Sequence, residues 1–206
     1  MNKTMILLKR LLLVIFACLS LSPLIVWAEA ETPEAAVYAA LFEHLAHKGG
    51  ALRPVVLGTR TSGQDEVFAA AGSTERMEEV LRNAVSEASP TLRTAFIGEL
   101  KSAAPLKTHQ LPSKSALKVQ LVPQEELDEL FQSNPKATAW SRFFQRFSET
   151  SSLMSLSHPV IDPLTQTALV YVGSSCGRLC GGGWLLFMTR HEGAWRVSRE
   201  VRLWIA

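Results

Sequence analysis

The chain has 206 residues, 47% of them apolar and 19% charged, and its 21 Lys plus Arg stand against 19 Asp plus Glu for a formal net charge of +2. So even a balance excludes the clustered basic excess that binding to nucleic acid or to an acidic membrane surface requires. The length suits one domain large enough to bury an ordinary core.

Residues 1–28 run in the order of a secretory signal peptide. Lys3, Lys9 and Arg10 precede the uncharged LLLVIFACLSLSPLIVW, and small residues follow at VWA and AEA. Cleavage is expected after Ala28, or after Ala30, which makes the protein periplasmic or secreted and limits its membrane contact to the transient passage of the leader. Three of the 21 basic residues precede Ala28, so 18 face 19 acidic residues afterwards and the exported chain is nearly neutral. Retention as an anchor is the competing expectation, because the apolar run is close to the shortest that spans a bilayer. Lipidation at Cys18 is disfavoured by bulky Phe16 before it and by a second apolar stretch after it.

The rest, 29–206, is expected to be a single domain whose first part is helical. Thr32 can cap a helix that starts at Pro33 and carries Val37, Ala40, Leu41 and Leu45 on one face until Gly49 and Gly50 stop it. RPVVLGTRT from Arg53 suits a short buried strand, and 62–72 a polar loop. Ser73 opens a second helix with Met77, Val80, Leu81, Ala84 and Val85 at helical spacing. Ser89 and Pro90 start a third, lined by Leu92, Ala95, Phe96 and Leu100. APLKTHQLPSKSA is irregular, ALKVQLVP alternates like a half-buried strand, and 125–131 and 138–147 form short helices with Trp140, Phe143, Phe144 and Phe147 turned from water.

From Leu153 the apolar period changes to two. LMSLSHPVI, QTALVYVG, GWLLFMTR and AWRVSREVRLWIA are four strand candidates joined by short turns. In the last, Trp195, Val197, Val201, Leu203 and Ile205 are expected on one side, with Arg196, Ser198, Arg202 and Trp204 on the other facing solvent. The expected fold is α+β, with N-terminal helices packed on a C-terminal four-stranded antiparallel meander.

ALVYVGSSCGRLCGGGWLLF, followed by GAWRV and LWIA and preceded by WSRFFQRF and SLMSLSHPVID, resembles an uncharacterised family of exported bacterial proteins. The resemblance covers roughly the last seventy residues and weakly the first helix. This chain departs from the family's pattern at His158, Pro159 and Ala206. The resemblance implies export and a fold, but no activity.

Once the leader takes Cys18 away, Cys176 and Cys180 are an even pair in an oxidising compartment, where a disulfide is the default. The five-residue ring CGRLC would contribute roughly 2 kcal/mol by the chain-entropy account and stiffen a hairpin, with glycines 177, 181, 182 and 183 easing the backbone around the bridge. The alternatives each lack a part. Exchanging dithiols space their cysteines by two. Zinc needs a fourth ligand beyond Cys176, Cys180 and His191. A phosphate cradle needs a helix where GWLLFMTR is a strand. No metal and no cofactor is expected.

His44 and His47 share a helix face but lack the Glu of a zinc-protease helix. His158, Asp162 and Ser157 or Ser175 supply the residue types of a hydrolytic triad without its Gly-x-Ser-x-Gly turn. Arg178, Trp184, Arg190, Arg196 and Trp204 could form a binding surface, set against the plainer assignment of tryptophans to the core and arginines to a solvated face. Two function classes follow: a non-enzymatic exported protein that binds another protein or a small ligand, or a hydrolase-like or thiol enzyme using His158, Asp162 or Cys176.

Overall fold

A computed structural model describes residues 32–49, 53–62, 73–101, 104–132 and 136–206; the leader with its cleavage sites, Cys18, and 63–72 of the expected loop lie outside them. Residues Glu31–Ala206 form a compact unit of their own. Among the described residues there are five α-helices, a short 3-10 turn and seven strands. In chain order these are α1 (Pro33–Gly49), β1 (Val55–Gly58), α2 (Thr74–Ala84), α3 (Pro90–Leu100), β2 (Val119–Val122), α4 (Gln124–Gln132), α5 (Lys136–Arg146), β3 (Ser152–Leu156), β4 (Val160–Asp162), β5 (Thr167–Gly177), β6 (Cys180–His191) and β7 (Ala194–Ile205). The capping residues act as their chemistry suggests: Thr32 Oγ1 accepts from Ala35 N–H at 3.1 Å, Ser73 Oγ from Arg76 N–H at 3.2 Å and Ser89 Oγ from Leu92 N–H at 3.1 Å.

The four-stranded antiparallel meander is not what forms. The sheet is mixed and seven-stranded, in the order β2-β1-β3-β5-β6-β7, with β4 also paired to β5. β5, β6 and β7 follow one another antiparallel and β3 and β4 both run antiparallel to β5, but β1 runs parallel to both β2 and β3. Two physical causes produce the difference. VVLG and VQLV are short and distant in sequence, and parallel partners need a long crossover, which the intervening helices provide. The expected first strand also breaks at Ser157, whose Oγ accepts from Tyr171 N–H at 2.9 Å and donates to His158 O at 3.0 Å. β3 and β4 therefore lie one after the other along the same edge of β5.

Neither face of the sheet is left to solvent over β5, whose first seven residues are all buried. Continuous apolar runs of this kind belong to sheets covered on both sides. On one side Val37, Tyr38, Leu41 and Phe42 of α1 pack on Ala168, Val170, Val172 and Leu186. The opposite side is covered twice. Met77 and Leu81 of α2 and Phe96 and Leu100 of α3 lie against Leu169, Tyr171, Leu185 and Phe187. Leu127 of α4 and Phe143 of α5, followed by Phe147, cover Val56 and Val122, with Leu153 packed alongside. Tyr38 fixes α1 in place by donating its hydroxyl to Ser157 O at 2.9 Å, and burial pushes its phenol far above the usual tyrosine range.

The expected alternation along β7 also fails, for a local reason. Ser198 and Leu203 are each skipped in the pairing with β6, two bulges that each reverse the faces. Trp195 and Val197 join the α1 side, whereas Val201 and Leu203 pack on the α2 and α3 side.

Candidate functional site

Same-face residues of adjacent strands line a half-open cavity of about 420 Å³ beneath the C-terminal end of α1. Its floor is apolar, from Val55, Met154, Val172, Trp184 and Leu186. Its margin is polar, from Lys48, Arg53, Ser152, Ser174 and Glu200. Serines at 152 and 174 continue the rows begun by Met154 and Val172, and their small side chains leave room where larger residues would close the space. Trp184 folds back over its own strand, because a Cβ on Gly182 would stand 2.6 Å from the indole Cη2. Cavities of this size with apolar walls and a few convergent polar groups are the usual form of small-ligand sites.

The bulge at Ser198 turns Glu200 toward α1. There Glu200 Oε1 lies 2.5 Å from Lys48 Nζ and Oε2 lies 3.2 Å from His44 Nε2. Partial burial raises the pKa of Glu200, but the hydrogen bonds and charges of Lys48 and His44 outweigh it and hold the carboxyl below its usual range. His47 takes no part: its Nδ1 donates to Glu43 O at 2.7 Å on its own helix. Arg53 is exposed at the margin and makes no ion pair or hydrogen bond with any described residue.

Of the five residues expected to share a binding surface, only Trp184 lines this cavity. Trp204 lies on the opposite side of the sheet, bonded to Tyr171. Arg178 occupies the turn between β5 and β6, while Arg190 and Arg196 sit near the turn between β6 and β7, at the other end of the sheet. Arg190 Nε donates to Gly193 O at 3.1 Å.

Cys176 and Cys180 are joined as a disulfide, with Cα atoms 5.1 Å apart. Arg178 and Leu179 stand exposed between them. The glycines after the bridge have a different role from the one expected. Positive φ occurs at Gly177 and Gly193, whereas 181–183 are extended strand residues that make room for indole rings.

The residue types of a triad are present but otherwise engaged. Asp162 accepts from Ser89 Oγ at 3.0 Å, Leu164 N–H at 3.0 Å and Thr165 N–H at 3.3 Å, holding the turn between β4 and β5 to the start of α3. Hydrogen bonding by Thr165, with Ser89 and Leu164 assisting, keeps its carboxyl below the usual range. Ser157 is buried in the break between β3 and β4. None of these contacts involves the ring of His158. Among the described residues no group of three or more His, Cys, Asp or Glu could hold a metal ion, and no helix is long and apolar enough to cross a membrane.

No protein-family model matches this chain, and no curated protein or solved structure matches it either. Its function is therefore read from its own residues. Lys48, Arg53, Ser152, Ser174 and Glu200 escape a reading by motif because they come from four separate stretches. One local signal exists: Glu200 is the only acidic residue in a strand with three arginines.

Proposed function

We propose that this is an exported, non-enzymatic protein that holds a small amphipathic ligand in the cavity between α1 and the sheet. The observation that carries the proposal is the cavity itself, about 420 Å³ with an apolar floor and a polar margin. The disulfide stiffens the far end of the β5–β6 ribbon on which Trp184 and Leu186 stand. Binding is favoured over hydrolysis or thiol chemistry because Asp162 and Ser157 are committed to turns and Cys176 to a disulfide.

A neutral fluorescent probe, N-phenyl-1-naphthylamine, tests this directly. It is expected to bind saturably at one molecule per chain, and Ser174→Trp, which fills the cavity, is expected to weaken it at least tenfold while far-ultraviolet circular dichroism stays unchanged. Unsaturable binding, or saturable binding indifferent to Ser174→Trp in a folded variant, would remove the proposal.

A further inference from the structure

We infer that the cavity selects an amphiphile with an anionic head group, received by Arg53, while its apolar body lies on Trp184. This deepens the binding proposal and rests on it. The charges at the mouth do not cancel. Lys48 and His44 both face Glu200, so the one carboxylate lining the cavity among the described residues already has a cationic partner in Lys48. Arg53 is left with no acidic partner among the described residues, and it adds one uncompensated positive charge to the margin.

Two further features point to an oxygen-rich anion. A guanidinium presents its donors as a planar fork that matches carboxylate or phosphate, and it stays charged at any physiological pH. Ser152 and Ser174 add hydroxyl donors at the same margin, and neither side chain is hydrogen-bonded to a described residue. Ser152 is only 7% exposed and lines the cavity from within the sheet. An alcohol of the same length would fill the floor equally but leave Arg53 without a counter-charge. A cationic amphiphile would be repelled by it. The floor sets the complementary demand: Val172 and Leu186 are already buried beneath it, and the half-buried indole of Trp184 offers the apolar surface on which a tail can lie.

The experiment is a displacement series on protein expressed from the full 206-residue sequence, with N-phenyl-1-naphthylamine as the bound probe. Dodecanoate, dodecyl phosphate, dodecanol and dodecyltrimethylammonium are compared below their micelle concentrations. At least one of the two anions is expected to displace the probe at a tenfold lower concentration than dodecanol, with the ammonium weakest. The better anion shows whether the natural head is a carboxylate or a phosphate monoester. Arg53→Gln is expected to bring that anion to the level of dodecanol, both being measured against the probe bound to the same variant. Equal displacement by dodecanol and both anions, or an anion preference that survives Arg53→Gln, overturns the inference while leaving the binding proposal intact. Should the neutral probe fail to bind, calorimetry with the two anions decides alone, and absence of saturable heat with both overturns the inference together with the proposal beneath it.

Discussion

The indole Nε1–H of Trp204 on β7 donates to the hydroxyl oxygen of Tyr171 on β5 at 3.0 Å, although β6 runs between the two strands. The ring reaches across because β6 is bare beneath it. A Cβ on Gly183 would lie 1.9 Å from Trp204 Nε1, and one on Gly181 would lie 3.3 Å from its Cη2. The glycine run is thus a seat for an aromatic side chain, and it ties both neighbouring strands over the middle one.

Gly183→Ala should therefore be costly despite adding a single methyl group. Overpacking of this kind costs about 1–3 kcal/mol, and the indole must also leave its hydrogen bond. Thermal unfolding is expected to drop by roughly 5–10 °C for a domain of this size. A variant that melts within a degree of the parent would show that the ring does not occupy this seat.

Cys176 and Cys180 should be unreactive. Thiol titration of the chain from residue 29 onward, in denaturant without reductant, is expected to find no free thiol. Replacing both by Ser should lower stability by about 2 kcal/mol through the lost five-residue ring. One reactive thiol per chain in that protein would contradict the bonded pair.

Acid should weaken the fold through two named carboxylates. Asp162 and Glu200 are both held below their usual range, the first by Thr165 and Ser89, the second by Lys48 and His44 against the opposing effect of burial. A depressed folded-state pKa contributes stability that is present above the unfolded value, about pH 4, and is lost as the pH falls through the folded value. Melting temperature should accordingly hold between pH 7 and 5 and decline below about 4. Asp162→Asn combined with Glu200→Gln should melt lower at neutral pH and show a shallower acid decline; an unchanged slope would assign the acid sensitivity to other groups.

Local chemistry was readable from the chain and distant pairing was not. Thr32, Ser73 and Ser89 announced three helix starts because each cap needs only the residues that follow it. The short ring of Cys176 and Cys180 was equally local. Val55 and Val119, by contrast, meet across 63 intervening positions, and nothing near either residue specifies a parallel partner. The faces of β7 were misassigned because a bulge leaves no mark in an alternating pattern: Ser198 reads as one more polar position, yet its insertion turns Glu200 into the cavity. The site shares that origin. Arg53, Ser152, Ser174 and Glu200 converge only after parallel pairing and the bulge have both formed.

Nuclear magnetic resonance of the tryptophan indoles gives the most direct test of ligand binding beneath α1. With saturating dodecanoate, the Nε1–H signal of Trp184 should shift, together with the methyl groups of Val172 and Leu186. The Trp204 signal, on the other side of the sheet, should stay in place. A ligand that binds while Trp184 remains unmoved, or that shifts Trp204 instead, would contradict the account.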